Sequence, residues 1–380
     1  MNRSASILLC TAVAALVALG LVMLTSTGAW VKSAATPYAF VIGQGKFAVI
    51  GFFGAIIASR VDPIWLRRGW PWALGFASLL LVFCFVPGIG VDHLGSHRWI
   101  HVPGIGEFQP SEMAKVVTLI AMAGWFARWQ TEVHTFWRGF VLPGMIVAIP
   151  TGLIAIETDV GSALALSVAI GAMFFCVGTR LIYLIPTALT GMGGAGWYIH
   201  SDPVRWGRIQ AWLDLEANQQ GIGQQQWRAL LAFGNGGLEG VGLGNGSEKF
   251  GTLTFAYSDF IFPIVGEELG LAFTLGTVLA YVLIAVCGCS IALRAGNLFD
   301  RCLALGMTCV LVVPAMVNIA VTTAALPNDG LPLPFVSHGG TSLMISLGAA
   351  GLLCGIHRRS HLTQDRAEPV VGAKVYAVKL

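Results

Sequence analysis

The chain has 380 residues, of which 56% are hydrophobic and only 11% are charged. Soluble globular domains carry about 25% charged residues, so this composition excludes that class and indicates a polytopic helical membrane protein. The net charge of +3 comes mostly from basic residues in short loops, so it requires no nucleic-acid partner.

In chain order, the apolar runs predict ten transmembrane helices, because each run is long enough to cross a bilayer as a helix. The first run follows Arg3, as in a signal peptide, but no convincing cleavage site follows it, so it is interpreted as a helix. The predicted spans are residues 7–25, 39–59, 71–89, 111–127, 139–157, 161–178, 181–199, 263–293, 301–324 and 339–356.

The distribution of Arg predicts the orientation of these helices, because cytoplasmic loops carry an excess of basic residues. Both termini are predicted to be cytoplasmic, with long extracytoplasmic loops at 90–110 and 200–258, the second between helices 7 and 8. Residues 1–360 are predicted to form one membrane domain, and the polar tail 361–380 is predicted to be disordered. The eight cysteines lie in or beside apolar spans, which is typical of small buried hydrophobic residues and not of a disulfide framework.

The loop 90–110 and the helix start after it concentrate polar residues. Arg98 is either an anchor at the membrane interface or a ligand for an anion. Glu112 and Lys115 are three residues apart in QPSEMAK, so they share one helix face. They are either a helix cap with a surface ion pair or a pair that holds a cation at the mouth of an outward cavity.

Three histidines in the same loop recur every four residues, as metal ligands on a helix would. Gly95 and Pro103 argue against a helix there, so ordinary loop histidines are favoured over a metal site. The three are His93, His97 and His101.

Further candidates lie along the rest of the chain. Asp159 stands at a helix junction, where it could simply cap the sixth helix. Arg205 and Arg208 share one helix face beside tryptophans, which is typical of an amphipathic helix on the membrane surface and is also compatible with anion binding. The glycine-rich stretches GNGGLEGVGLGNG (234–246) and SHGGTS (337–342) permit close backbone approach to a ligand, without a P-loop or Rossmann spacing.

Three carboxylates stand at the start of an unusually long apolar run. Residues 260–293 contain no Lys or Arg and would form a helix roughly 50 Å long, well beyond the ~30 Å hydrocarbon core. Asp259 precedes this run, and Glu267 and Glu268 lie inside it. Lipid exposure of these acids would be prohibitive, so Glu267 and Glu268 are predicted to face protein or a water-filled cavity, most simply by hydrogen bonding between helices.

Taken together, the motifs resemble those of the SEDS family (shape, elongation, division and sporulation), typified by FtsW and RodA. The resemblance rests on GSHRWI, QPSEMAK, TDVGSAL, GNGGLEGVGLGNG, SDFIFPIVGEELG and LPLPFVSHGGTS, which occur in the family's order over nearly the whole chain. The stretches GLGNG, GLVML and LLAFGNGG resemble the FtsW branch more than the RodA branch. The chain departs from the family pattern at Glu157-Thr158, where Gln-Pro is common, and at Thr254-Phe255, where Pro-Glu is common.

The resemblance implies a peptidoglycan glycosyltransferase of the bacterial cytoplasmic membrane that polymerises lipid II on the outer face. The family's motif aspartate falls on Asp259, the catalytic candidate. The candidate substrate-binding residues are Arg98, Glu112, Lys115, Asp159, Arg205, Arg208, Ser337, Gly339 and Gly340. The resemblance also implies a class B penicillin-binding protein and other divisome or elongasome membrane proteins as partners, and it suggests a divalent cation (Mg or Mn).

Two other classes of function remain open at this point. A transporter or flippase for lipid-linked precursors would also be apolar, glycine-rich and acid-bearing, although no inverted repeat is evident and the polar groups gather on one face. A non-catalytic scaffold would not need Asp259, Lys115 and Arg98 in one cavity.

Overall fold

The computed structural model describes residues 4–29, 36, 38–93, 96–102, 106–157, 159–250 and 253–367. A π-helical turn, Trp137–Val141, leads directly into the helix Leu142–Ile156. The described residues form α1 (Ser4–Gly28), α2 (Ala39–Arg60), α3 (Pro63–Phe83), β1 (Gly90–His93), β2 (Ser96–Val102), β3 (Gly106–Phe108), α4 (Pro110–Arg128), α5 (Leu142–Ile156), α6 (Val160–Val177), α7 (Leu181–Ser201), α8 (Pro203–Leu213), α9 (Gln224–Gly236), α10 (Ile261–Arg294), α11 (Leu298–Thr322) and α12 (Gly340–Ala367).

Each predicted span overlaps a helix, although the predicted span 71–89 is displaced from α3, which begins at Pro63 and ends at Phe83. The helices α8 and α9 lie within the predicted loop 200–258. Among the described residues, seven helical segments are long and apolar enough to cross a membrane: α1, α2, the turn with α5, α6, α10, α11 and α12. The protein is therefore a polytopic helical membrane protein. The count of ten spans and the orientation stay predictions, because α3, α4 and α7 are not among those seven.

The loop 90–110 contains an antiparallel sheet of order β1-β2-β3, which the sequence analysis did not predict. Ile100 is buried and pairs with Gly90 on one side and Phe108 on the other. The pairing of β1 with β2 is irregular at Arg98, because Val91 pairs with Trp99 and Asp92 pairs with His97. Arg98 is therefore the extra residue of a bulge, a feature that re-aims a side chain relative to the regular strand.

The structure distinguishes between the capping alternatives at two predicted helix starts. Gln109 is the N-cap of α4 and makes no side-chain capping bond, while the carboxylate of Glu112 accepts a hydrogen bond from Lys115. The predicted cap at Glu112 is therefore wrong. Asp159 is the N-cap of α6, and its Oδ1 accepts a hydrogen bond from the N–H of Ser162 at 3.2 Å, which confirms its predicted capping role.

The glycine-rich segment after α9 packs backbone against backbone on α10. Gly240 has φ 78°, and a Cβ there would lie 2.4 Å from the carbonyl oxygen of Glu268. Gly270 interrupts α10 with φ 75°, and a Cβ there would lie 2.6 Å from the nitrogen of Gly240. Glycine is therefore required on both sides of this contact, and the close approach is to the protein's own helix.

Glu267 and Glu268 hold the same segment through their side chains. Glu267 accepts hydrogen bonds from the N–H and the hydroxyl of Ser247, both at 2.9 Å. Glu268 accepts from Lys249 and from Ser26 of α1. The prediction that both acids face protein and bond between elements is confirmed.

At the chain's end, α12 continues to Ala367, past the predicted domain boundary at residue 360. The predicted disorder of 368–380 falls outside the described residues. All eight cysteines are free thiols, as predicted.

Candidate functional site

A cavity of about 690 Å³ opens where β2, the starts of α2, α4, α6 and α12, and the segment before α10 meet. It gathers residues that are far apart in the chain. Of the predicted site residues, Arg98, Glu112, Asp159, Asp259, Gly339 and Gly340 line this cavity.

Asp259 lies in the cavity wall immediately before α10. Phe260 is the N-cap of that helix and makes no side-chain capping bond, so Asp259 is not held there as a helix cap. Its Oδ1 accepts a hydrogen bond from the hydroxyl of Ser258 at 2.9 Å. Burial raises the pKa of Asp259 to about 6, partly opposed by the Ser258 hydrogen bond and by the charge of Arg98. The carboxylate is thus mostly ionised at neutral pH and able to accept a proton.

Arg98 is the cation that faces this carboxylate from the sheet. Its Nε donates to the carbonyl oxygen of Glu157 at 3.4 Å, and its Nη1 lies 3.8 Å from Oδ1 of Asp159. The side chain keeps 26% of its surface exposed, so the guanidinium can also contact an anion in the cavity.

Glu112 and Lys115 form a buried ion pair, with Lys115 Nζ 2.8 Å from Glu112 Oε1 and side-chain exposures of 6% and 7%. The surface ion pair considered from sequence is therefore wrong. Glu112 lines the cavity, and Lys115 neutralises it one helical turn further into α4.

Arg205 and Arg208 lie on α8 and contact other parts of the protein. The guanidinium of Arg205 is 4.1 Å from the ring centroid of Tyr198 and pairs with Asp202, and Arg208 Nη1 donates to the carbonyl oxygen of Asn328 at 3.5 Å. Both charges lower the pKa of the same carboxyl, Asp329. These arginines thus lie on α8 beside the segment after α11 that carries Asp329, and neither is among the residues that line the cavity.

Asp329 is a site carboxylate that the sequence analysis missed. Burial raises its pKa, and the charge of Asp159 raises it further, while Arg208 and Arg98 act in the opposite direction. Its neighbour Gly330 lines the cavity. The sequence signal was the turn-forming run PNDG at 327–330, which reads as an ordinary loop without the fold.

Ser337 is buried behind the cavity wall. Its hydroxyl donates to the carbonyl oxygen of Ser258 at 2.8 Å and accepts from the N–H of Leu333, so it braces the segment that carries Asp259. Next to it, the His338 ring packs 4.7 Å from the Phe40 ring, and burial lowers the pKa of His338 to about 4. His338 is therefore neutral at physiological pH.

The part of the chain that the structure describes contains no group of three or more His, Cys, Asp or Glu placed to hold a metal ion. The side chain of His93 falls outside the described residues, so the interpretation of the three residues as ordinary loop histidines remains a prediction. Asp159 and Asp329 interact electrostatically, and Mg²⁺ is usually held by one or two carboxylates together with substrate phosphates. The donors present therefore fit a cation that the substrate itself helps to bind.

Comparisons with known proteins identify the family of this chain. Residues 6–362 match the FtsW/RodA/SpoVE family, described as "Cell cycle protein". The chain is 37% identical over 319 residues to a probable peptidoglycan glycosyltransferase FtsW of Trichlorobacter lovleyi, covering 83% of each chain. It is also 37% identical over 366 residues to the protein of that name from Pseudomonas fluorescens, covering 93% of this chain and 88% of that protein.

Solved structures show the same fold. A chain from a solved structure, described as "structural coordination of polymerization and crosslinking by a peptidoglycan synthase complex", superposes with a TM-score of 0.75 at 25% identity. The superposition covers 93% of this chain and 97% of that one. The rod shape determining protein RodA of Thermus thermophilus superposes with a TM-score of 0.67 at 25% identity, over 93% of this chain and 96% of that one. This chain therefore belongs to the FtsW/RodA/SpoVE family.

Proposed function

We propose that this protein is a peptidoglycan glycosyltransferase that polymerises lipid II at the outer face of the bacterial cytoplasmic membrane. The observation that carries the proposal is the pairing in one cavity of a carboxylate, Asp259, with a cation, Arg98. The names of the relatives, which are probable peptidoglycan glycosyltransferases, support the substrate class.

The proposed reaction is one displacement. The 4-hydroxyl of the acceptor GlcNAc attacks the anomeric carbon of the donor MurNAc, and the bond from that carbon to the pyrophosphate oxygen breaks. The hydroxyl proton moves to Asp259, and undecaprenyl pyrophosphate leaves with the electron pair. A single displacement inverts the α-linked donor to a β-1,4 link and needs no covalent enzyme intermediate.

Asp259 supplies general-base catalysis, which contributes about 10²–10⁴-fold. Its pKa of about 6 leaves it mostly ionised at pH 7 and a stronger base than an ordinary aspartate. Arg98 holds the pyrophosphate through charge-assisted hydrogen bonds. Arg205 and Arg208 add positive charge beside Asp329, at the side of the site formed by α8.

A divalent cation, Mg²⁺ or Mn²⁺, would be held by Asp159 and Asp329 together with the substrate pyrophosphate. When bound, it would supply positive charge that stabilises the leaving group. Loss of activity in excess chelator, with recovery on adding either metal, is the expected result, and full activity in chelator would remove the cation from the proposal.

The partner in this proposal is a class B penicillin-binding protein, which crosslinks the strands that this chain polymerises. The similarity to a chain of a peptidoglycan synthase complex that coordinates polymerization and crosslinking supports this pairing. Other membrane proteins of division or elongation are proposed on the family resemblance.

The decisive experiment is the polymerisation of labelled lipid II by Asp259→Asn. Asparagine keeps the size and the hydrogen-bonding oxygen of the side chain but cannot take up the proton, so the variant should fold and insert yet make no glycan polymer. Glu216→Gln is the matched control, because Glu216 is exposed on the loop after α8 and its neutralisation should leave polymerisation unchanged. Polymerisation by Asp259→Asn within a few-fold of the parent would remove Asp259 as the base. A parent protein that moves lipid II across a liposome without polymerising it would instead indicate a flippase.

A further inference from the structure

Three consecutive backbone carbonyls fix the segment that carries Asp259. The oxygen of Tyr257 accepts from the N–H of His338 at 3.0 Å, and that of Ser258 accepts from the hydroxyl of Ser337 at 2.8 Å. The oxygen of Asp259 accepts from the side-chain amide of Asn318 at 2.7 Å. The first two donors belong to one loop before α12, whereas Asn318 belongs to α11.

Asn318 joins two loops from within that helix. Its Nδ2 donates both to the carbonyl oxygen of Asp259 and to that of Leu331 at 2.6 Å. Carbonyl oxygens can only accept, so the side chain must present its NH₂ group to this pair. Asn318 is only 2% exposed, and its Oδ1 is buried without a hydrogen-bond partner in the described part of the chain.

A buried oxygen without a partner costs about 1–3 kcal/mol. Because Asn318 bears this cost inside a membrane helix, its presence is explained by the two hydrogen bonds that it donates and not by a gain in general stability. A leucine of similar volume would fill the same space without a buried amide oxygen, but the carbonyl oxygens of Asp259 and Leu331 would lose this donor.

The two joined loops are strained where they flank the site. Phe255 has φ 60° and Phe335 has φ 70°, and neither residue is a glycine. Such conformations cost about 1–3 kcal/mol each and persist only where the surrounding contacts hold them. Without Asn318, the bond between α11 and Asp259 is lost, and the segment can relax towards ordinary backbone angles.

We propose that Asn318 is a positioning residue that sets the carboxylate of Asp259 relative to Arg98 and to the acceptor hydroxyl. The inference rests on the proposed polymerase function. Catalytic groups need placement to within about 0.5 Å, and a misplacement of about 1 Å costs up to 10²-fold in rate. Asn318 therefore acts on kcat through Asp259 and makes no contact with lipid II itself.

The test compares Asn318→Leu with Gln226→Leu. Gln226 is a matched control because it is also 2% exposed and also donates from one amide to two carbonyls, those of Val321 and Leu326. Its two bonds end on Val321 and Leu326, and neither reaches the segment that carries Asp259. Both variants should lose similar thermal stability in detergent.

The expected results separate positioning from general support of the fold. Asn318→Leu should lower kcat for lipid II polymerisation by about 10–100-fold while KM changes by less than about threefold, and Gln226→Leu should keep kcat within about threefold of the parent.

Three outcomes would overturn the proposal: an unchanged kcat in Asn318→Leu, an equal loss of kcat in Gln226→Leu, or an effect confined to KM. If Asn318→Leu does not fold, the variant Asn318→Ser replaces it in the test, because serine retains one hydrogen-bond donor. The proposal then requires that the kcat of Asn318→Ser falls below that of the parent while its thermal stability stays near that of Gln226→Leu. Failure of the proposed function is distinguishable, since the parent itself would then make no polymer.

Discussion

Removing the ion pair between Lys249 and Glu268 tests directly how the segment before α10 is held in place. Lys249 Nζ lies 2.5 Å from Glu268 Oε1, and both side chains have no exposed surface. Glu268 also accepts from Ser26 at 2.7 Å and from the N–H of Gly244 at 3.0 Å. The pair therefore connects α1, α10 and the glycine-rich segment at one buried point.

Lys249→Met should destabilise the protein by about 3–5 kcal/mol, because it leaves a buried carboxylate with neutral donors and no cation. The double variant Lys249→Met with Glu268→Gln removes both charges. Ser26 and Gly244 bond different oxygens of Glu268, so the single oxygen of glutamine can accept from the N–H of Gly244 while its NH₂ group donates to the Ser26 hydroxyl. The double variant should be more stable than the single variant by about 2 kcal/mol or more, because the penalty of an unpaired buried charge is gone.

The measurement is equilibrium unfolding in detergent, followed by tryptophan fluorescence, for the parent, both single variants and the double variant. The exposed pair Arg138–Glu132 is the control: its atoms are also 2.5 Å apart, but the side chains are 44% and 34% exposed. Arg138→Met should cost no more than about 1 kcal/mol as a surface ion pair, beyond any loss of its contact with the Trp129 ring. A Lys249→Met variant within about 1 kcal/mol of the parent, or a double variant less stable than Lys249→Met, would refute the reasoning.

Four further predictions follow from the site and the fold. With a pKa of about 6 for Asp259, the ionised fraction of its carboxyl group falls from about nine tenths at pH 7 to about one tenth at pH 5. The value of kcat/KM should therefore drop roughly tenfold over that range. A flat pH profile down to pH 5 would indicate an ordinary aspartate pKa. Arg98→Ala should weaken polymerisation strongly at limiting lipid II, because the pyrophosphate loses its bidentate donor; a normal rate there would place that contact elsewhere. Gly270→Ala should destabilise the protein by more than about 1 kcal/mol in thermal unfolding, since φ is 75° and a Cβ would collide with Gly240; parental stability would mean that α10 can straighten. A cysteine at Gln219 should react with an impermeant thiol reagent on intact cells, and one at Thr131 only after lysis; the reverse pattern would invert the orientation.

The positions of the helices could be predicted from the sequence because the information is local. A chain in lipid must satisfy its backbone hydrogen bonds within each helix, so an apolar run of sufficient length is itself a strong indication of a helix. The cap at Asp159 was equally local, because its carboxylate bonds an N–H only three residues away. The motifs around Asp259 also identified the family without any knowledge of contacts.

The assembly of the site depended on the tertiary structure. The sequence contains the pair Glu112 and Lys115, but only the packing of α4 shows that both are buried. Asp329 is 70 residues from Asp259 in the printed sequence, and no periodicity brings the two together. Asn318 reads as one polar residue in an apolar helix until its two bonds to Asp259 and Leu331 are seen.

The physical reason is the range of the interactions. Hydropathy and capping act over one or a few turns of helix, whereas the field around Asp259 is the sum of charges from β2, the start of α6 and the segment after α11, and the arginines of α8 act on Asp329 in that segment. Those charges meet only because the helices pack in one particular arrangement. The sequence by itself therefore determined which residues could do chemistry in a membrane, and the packing decided which of them share one cavity, with what pKa, and held by which neighbours.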